Sequence, residues 1–142
     1  MSQAQQERQV RAMFAKANFI NALGVAVTAL GPGRCETELV VRPDHLQQDG
    51  FVHAGVQASL ADHTAGGAAG MALEEGEAVL SIEFKINLLR PAVGQKLRAV
   101  AAVLRAGKTV VVTEAEVFSV EEGGEKLCSK ATVTLARVRR EP

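Results

Sequence analysis

The sequence has few of the residues that build covalent or strongly charged scaffolds. Its only cysteines, Cys35 and Cys128, lie far apart and in no paired motif, so neither a disulfide framework nor a thiolate metal site is predicted. The 16 lysines and arginines balance the 16 aspartates and glutamates, and the formal net charge is zero. The one dense cluster of like sign is at the end: Arg137, Arg139 and Arg140. We therefore expect no nucleic-acid partner.

The sequence also lacks an uninterrupted apolar run. The N-terminal residues MSQAQQERQVR are polar and have no apolar core typical of a signal peptide. Residues 54–73 form the most apolar stretch, but Asp62 and His63 interrupt it midway, so no membrane span and no membrane partner are expected. Because unpaired cysteines also suit a reducing compartment, we predict a cytoplasmic protein.

The length is typical of one domain, so residues 1–142 are predicted to fold as a single unit. Apolar residues recur at helical spacing near the start: Val10, Met13, Phe14 and Ala17. They predict an N-terminal helical segment over residues 1–17 that packs on the rest of the domain. Residues 19–30 and 36–41 have strand patterns, and Gly31-Pro32-Gly33 between them predicts a hairpin.

A helix and a series of strands are predicted after the polar loop of residues 43–52. The helix covers residues 54–73, because the segment has no proline and is rich in alanine and leucine. Apolar and polar residues then alternate through residues 80–88, which predicts a strand with one apolar face. Three more strands are predicted over residues 96–105, 109–120 and 126–138, so that four consecutive strands form an antiparallel meander.

The predicted helix contains four glycines that weaken an isolated helix: Gly55, Gly66, Gly67 and Gly70. Each costs up to about 1 kcal/mol relative to alanine, so their presence needs a packing reason. Small side chains let a backbone lie close to its neighbours. We therefore expect one long curved sheet to wrap around this helix.

Residues 45–62 resemble the signature of the hotdog-fold thioesterases of the phenylacetate-pathway (PaaI) type. The family pattern is H-x-N-x-x-G-x-x-H-G-G followed by an acid nine residues after the second histidine, and this chain has HLQQDGFVHAG and then Asp62. Residues 80–92 are similar to the strand that follows the helix in the family. Gln47 stands where the family has asparagine, and Ala54 where it has glycine. The resemblance implies an α+β hotdog fold with a long central helix wrapped by a curved antiparallel β-sheet.

The same resemblance implies a set of catalytic residues: Asp62, Gln47, His53, Ala54 and Ser81. A thioester carbonyl develops negative charge on oxygen when it is attacked, so a site needs a hydrogen-bond donor and a base or nucleophile. The helix start at Ala54 and Gly55 offers unpaired N–H groups and the positive end of a dipole. Asp62 would then activate water or attack the thioester itself, and the sequence leaves both routes open. His53 would orient the loop.

The predicted substrate is an acyl-coenzyme A, with coenzyme A as part of the substrate and no separate cofactor. The residues predicted to bind it are Gly55 at the helix start and a set of basic residues and turns that would contact its phosphates: Arg90, Arg105, Gly107 and Lys108. A metal site is not expected, because the histidines and acids of residues 44–63 form none of the short-spaced clusters that zinc uses. A non-catalytic module that binds or senses acyl-coenzyme A stays open as an alternative, as does a hydratase of related fold.

The spacing of Ala54 and Asp62 also predicts a homo-oligomer. Eight residues of continuous helix separate them by roughly 12 Å along its axis, so one carbonyl cannot touch both. The resemblance likewise implies a dimer with composite active sites, assembled further into a dimer of dimers.

Overall fold

The architecture was derived from a computed structural model, which describes residues 1–141. Over these residues the chain forms three α-helices, six β-strands and one short 3-10 turn. The helices are α1 (Gln3–Lys16), α2 (Asn18–Leu23) and α3 (Ala54–Gly70), and the 3-10 turn covers Pro43–His45. The strands are β1 (Val25–Gly31), β2 (Arg34–Val40), β3 (Glu77–Leu88), β4 (Lys96–Ala106), β5 (Val110–Glu121) and β6 (Gly124–Arg139).

The sheet wraps around α3. Its strands lie in the order β1-β2-β4-β5-β6-β3, with every neighbouring pair antiparallel, and α3 contacts all six of them. The side chains of Leu60, Ala61, Ala65, Ala68 and Ala69 on this helix are fully buried. The predicted hotdog architecture, a central helix inside a curved antiparallel sheet, is therefore confirmed.

The predicted four-strand meander is wrong. Only β4, β5 and β6 follow one another in the sheet, whereas β3 pairs with β6 and forms the opposite edge from β1. The segment after β3 leaves the sheet instead of turning back along it. Its N–H groups at Leu89 and Arg90 donate to the Cys128 carbonyl, and its Ala92 carbonyl accepts from the N–H of Val52. This crossover lets β4 begin beside β2.

The predicted strand over residues 19–30 is wrong in its first half. Residues Asn18–Leu23 form α2, which ends at Gly24 with a φ of +85°, and β1 begins only at Val25. Two distant side chains hold the carbonyl end of α2: the Arg42 guanidinium donates to the Ala22 carbonyl at 2.7 Å, and the His45 ring contacts the Leu23 carbonyl at 2.8 Å. The apolar pattern within residues 19–30 contains no information about these two residues, so it could not predict the helix.

Close packing accounts for two of the four glycines. A Cβ at Gly67 would lie 2.6 Å from the Cys35 sulfur, and one at Gly70 would lie 2.7 Å from a Val10 methyl. Val10 belongs to α1, so α1 lies directly against α3 at Gly70. Burial raises the pKa of the Cys35 thiol to about 12, which keeps it an unreactive packing group.

The edge strand β3 exposes its apolar residues. Leu80, Ile82 and Phe84 are 64%, 57% and 42% exposed. The pairing register with β6 shifts between Ser81 and Glu83, which leaves Ile82 without a partner across the ladder. Over the described residues, none of the helices is long and apolar enough to cross a membrane.

Candidate active site

The first histidine of the motif holds the loop in place. The ring of His45 is 1% exposed, and its Nδ1 accepts from the Arg42 N–H at 2.9 Å. Its Nε2 therefore carries the proton that is donated to the Leu23 carbonyl. The His45 carbonyl accepts from the His53 N–H at 2.8 Å. His45 thus joins α2, the loop and the start of α3, and acts as a structural residue.

Gln47 uses one end of its side chain to shape the loop. Its Oε1 accepts from the N–H of Asp49 at 2.5 Å and from the N–H of Phe51 at 3.2 Å. The Gln47 N–H donates to the Phe51 carbonyl at 2.8 Å, and Gly50 completes the turn with a φ of +86°. Because Oε1 is occupied, Nε2 is the end of Gln47 that remains for a ligand.

The start of α3 presents one free N–H group. His53 caps the helix: its Nδ1 accepts from the Gly55 N–H at 2.8 Å, and its carbonyl accepts from the Val56 N–H at 2.9 Å. A Cβ at Gly55 would lie 2.9 Å from His53 Nδ1, so a larger residue there would force the His53 ring to shift. The hydrogen bonds of the described residues include none from the Ala54 N–H, which is thus available at the positive end of the helix dipole.

These groups line one cavity, which we call the donor cavity. Its volume is about 540 Å³, and its lining includes Gln47, His53, Ala54, Gln57 and Arg90. The crossover after β3 forms the other wall, with Leu88, Leu89, Pro91 and Ala92. Four residues that the sequence singled out are therefore brought together, and Gln57 is an addition that the sequence analysis missed.

Asp62 lies in a second cavity, which we call the acid cavity. Its volume is about 310 Å³, and Ser59, Asp62 and His63 line it together with residues 17–20. The Ser81 hydroxyl, from β3, donates to Asp62 Oδ1 at 2.6 Å. The acid and donor cavities have no lining residue in common. Within one chain the predicted catalytic residues thus form two separate groups.

His63 is held neutral beside the acid. Burial lowers its pKa, and the negative charge of Asp62 opposes that effect only in part. The Phe14 ring of α1 packs edge-on against the imidazole, with 4.5 Å between the ring centres. His63 therefore packs between α1 and α3 on one wall of the acid cavity.

The predicted phosphate contacts are divided. Arg90 lines the donor cavity, whereas Lys108 lines a third cavity of about 400 Å³ with Glu77, Thr109, Arg137, Val138 and Arg139. We call this third cavity the basic cleft. Gly107 supports it, because its carbonyl accepts from Arg137 Nη1 at 2.8 Å. Arg105 lies opposite Val112 on β4 and is not among the lining residues.

Arg137 and Arg139 are functional candidates that the sequence analysis treated only as charge. The Arg137 guanidinium also donates to Glu77 at 2.6 Å, and this hydrogen bond holds the pKa of Glu77 below its usual value. The sequence could have indicated this, because the two arginines are two positions apart at the end of a predicted strand and therefore lie on the same face of β6.

A model of the thioesterase superfamily matches residues 49–126, more than half of the chain. The chain belongs to this superfamily. Human acyl-coenzyme A thioesterase 13 is 30% identical over 116 residues, which cover 80% of this chain and 82% of the human protein. A thioesterase family protein of Silicibacter pomeroyi is 34% identical and superposes with a TM-score of 0.92, over 98% of this chain and 100% of that one.

The PaaI protein of E. coli, from the phenylacetic acid degradation operon, shares the fold. Its TM-score is 0.84 at 24% identity, and the match covers 96% of each chain. The superfamily match over residues 49–126, together with this shared fold, confirms the resemblance to hotdog-fold thioesterases. As a member of the superfamily, the chain is a thioester hydrolase.

Proposed function

We propose that this thioester hydrolase cleaves acyl-coenzyme A, with Asp62 as the base that activates water or as the nucleophile. The observation that carries the proposal is the 2.6 Å hydrogen bond from the Ser81 hydroxyl to Asp62 Oδ1. This bond orients the carboxylate and leaves the second oxygen free to take a proton from water or to attack the thioester carbon. In the first route water adds to the thioester carbon and coenzyme A leaves as its thiol. In the second route the carboxylate displaces coenzyme A and forms a mixed anhydride, which water then hydrolyses to the free acid.

Two donors in the donor cavity support this reaction. The free N–H of Ala54 and the Nε2 of Gln47 can both bind the carbonyl oxygen of a thioester as it becomes negative. Ala54 keeps the backbone donor that the family glycine would provide. His53 serves the same oxygen indirectly, because it fixes the helix start through the Gly55 N–H.

The complete site is composite in this proposal. Ala54 and Asp62 are eight residues apart on α3, roughly 12 Å along its axis, and they line different cavities. A two-fold dimer would contain two equivalent sites. Each would take Gln47, His53 and Ala54 from one chain, and Asp62 and Ser81 from the other.

The edge strand β3 is the surface we assign to this dimer. An edge strand carries a row of unpaired backbone groups that can pair with another strand. On β3 the neighbouring apolar side chains of Leu80, Ile82 and Phe84 are largely exposed, and Ser81, which holds Asp62, lies among them. A second copy docked on β3 would cover these side chains, and the same docking would bring its residues close to Asp62. The dimer of dimers remains a prediction of the family resemblance.

Coenzyme A would be bound by positive charge on both chains. Arg90 lies in the donor cavity, and Lys108, Arg137 and Arg139 lie in the basic cleft. Both groups can neutralise phosphate oxygens. Coenzyme A is part of the substrate, so no additional cofactor is proposed. A cytoplasmic location stays a prediction of the sequence.

The test is the release of free thiol from a panel of aromatic and aliphatic acyl-coenzyme A thioesters. Asp62→Asn should lower kcat by about 10²- to 10⁴-fold, because it keeps the shape and removes the basic carboxylate. The matched control is Asp44→Asn, which neutralises an exposed acid on the 3-10 turn and should turn over normally.

Two outcomes would overturn parts of the proposal. Near-normal turnover by Asp62→Asn would remove Asp62 from the mechanism. Tight binding of the thioesters without thiol release by the wild-type protein would favour the alternative, a non-catalytic module that binds acyl-coenzyme A.

A further inference from the structure

Gln57 is a buried polar side chain with an unused acceptor. It lies on α3, is 3% exposed, and lines the donor cavity together with Ala54 and Arg90. Among the described residues, no group hydrogen-bonds to its Oε1. Its helical neighbours Val56 and Leu60 are buried and apolar. An apolar residue of the same size would avoid the desolvation cost of this amide, so fold stability does not explain a glutamine here.

Gln57 lies close to the N–H group that would bind the thioester carbonyl. It follows Ala54 by three residues, so the two share one face of α3 about one helical turn, or roughly 4.5 Å, apart. A thioester whose carbonyl oxygen binds the Ala54 N–H would lie beyond the helix start, and the Gln57 side chain, which leans toward that end, lines the same cavity beside it. The contact would fall a few bonds from the carbonyl carbon.

The two ends of the donor cavity suit different parts of the substrate. Arg90 is exposed and suits the anionic, solvated nucleotide of coenzyme A. Gln57 is buried, and a buried end suits the acyl group. The side chain that contacts the acyl group would thus be an amide in a largely apolar wall.

We propose that Gln57 is a specificity residue that selects acyl groups carrying a hydroxyl near the thioester. A hydroxyl can donate to Oε1, and because it can also accept, it satisfies the amide in either orientation of its terminal group. An acyl group without the hydroxyl leaves the amide unpaired when it fills the cavity, which lowers its transition-state binding. This inference rests on the proposed thioester hydrolysis and names the substrate class of that same site.

The experiment compares pairs of thioesters that differ by one hydroxyl. Suitable pairs are benzoyl-coenzyme A with its three hydroxybenzoyl isomers, and butyryl- with 3-hydroxybutyryl-coenzyme A. For the wild-type protein we expect at least one hydroxylated member to have a kcat/KM about 10- to 100-fold above that of its partner. The position of the preferred hydroxyl then gives the distance from the carbonyl to Gln57.

Gln57→Met tests the residue itself, because methionine is unbranched and of similar length. The preference should fall to about twofold or less, through slower turnover of the hydroxylated substrate and unchanged or faster turnover of its partner. The matched control is Gln48→Met, which makes the same change at an exposed position on the same cavity and should keep the preference. Thermal unfolding should show Gln57→Met to be at least as stable as the wild type.

The results separate this inference from the proposed function. A wild-type protein that hydrolyses both members of every pair equally well overturns the role of Gln57 and leaves the proposed function intact. So does a Gln57→Met variant that slows both members equally and keeps their ratio. A wild-type protein that releases thiol from no thioester removes the proposed function, and this inference with it.

Discussion

The two groups of candidate residues differ in how completely one chain organises them. In the donor cavity, the loop and helix start are fixed by their own hydrogen bonds: the His45 ring accepts from the Arg42 N–H and donates to the Leu23 carbonyl, and the Gly55 N–H donates to His53. In the acid cavity, one hydrogen bond from Ser81 holds Asp62, and Ser81 lies on an edge strand with exposed apolar neighbours. The proposed oxyanion donors are thus preformed within one chain, whereas the proposed catalytic acid lies beside the edge strand to which we assign the dimer.

Ile82→Lys should have the largest effect, because it removes the partner and leaves each chain intact. Ile82 is 57% exposed on β3, so a lysine there costs the isolated chain little. In the proposed dimer it would bury two charges, one from each chain. We expect monomers by analytical ultracentrifugation and a loss of thiol release of about 100-fold or more.

The control for that variant is Leu104→Lys. Leu104 is 59% exposed but belongs to β4, away from the edge strand. This variant should keep both the dimer and its activity. A monomeric Ile82→Lys protein with wild-type turnover would refute the composite site.

Mixing two inactive variants should restore part of the activity. Asp62→Ala damages the acid group and Gln47→Ala the donor group, and the two are unfolded together and refolded as a mixture. In each mixed dimer one site has both defects and the other has none. With random pairing about half of the dimers are mixed, so activity should return to roughly a quarter of the wild-type value.

This experiment needs two checks. Gln47→Ala alone must first be shown to be nearly inactive, and mass-tagged subunits must show that mixed dimers form. If mixed dimers are present and the sample stays as inactive as its parents, both groups act within one chain.

The contrast between the two groups also marks what the sequence could predict. The cap at His53, the free donor at Ala54 and the turn at Gly50 depend on residues within a few positions of one another, and the motif encodes them locally. The hydrogen bond between Ser81 and Asp62 joins β3 to α3. The family resemblance indicated both residues as catalytic but did not predict their contact. The sequence predicted that the helix glycines pack closely against other elements, since such glycines need a packing reason. It did not predict that these elements are α1 and β2.

The remainder depended on contacts distant in the sequence. Residues 18–23 form a helix because Arg42 and His45 hold its carbonyl end, and nothing within the segment shows this. Strand β3 follows the helix but pairs with the last strand, because the crossover of residues 89–95 carries the chain to β2. Gln57 was missed because a single glutamine in a helix usually faces solvent; its spacing from Ala54 was the available signal.

His53→Ala should have a moderate effect confined to the donor group. It removes the acceptor of the Gly55 N–H, and loss of such a cap costs about 1 kcal/mol in the free energy of unfolding. The Ala54 N–H also loses its fixed orientation, so kcat should fall several-fold while the dimer persists. Denaturant unfolding at one protein concentration and the thiol assay measure both effects.

His53→Asn is the matched variant, because asparagine is itself a strong cap. It should restore most of the stability and part of kcat. Equal losses in both variants would mean that the ring of His53 does more than cap the helix.

The smallest effect should come from His63→Asn, as a change in how stability depends on pH. Burial lowers the pKa of His63 in the folded chain, despite the nearby Asp62 charge, whereas the unfolded chain titrates near 6.5. Between the lowered folded value and about 6.5, the unfolded state binds more protons. The free energy of unfolding therefore falls as the pH drops through that window, by at most about 1.4 kcal/mol per pH unit. Above the window both states are neutral, and the contribution of His63 to the free energy of unfolding is fully present.

Asparagine does not titrate, so His63→Asn should lose less stability than the wild type between pH 7.5 and 5. Each protein is measured by denaturant unfolding relative to its own value at pH 7.5. Identical pH profiles would show that His63 titrates alike in both states, and that the contact with Phe14 does not exclude its charged form.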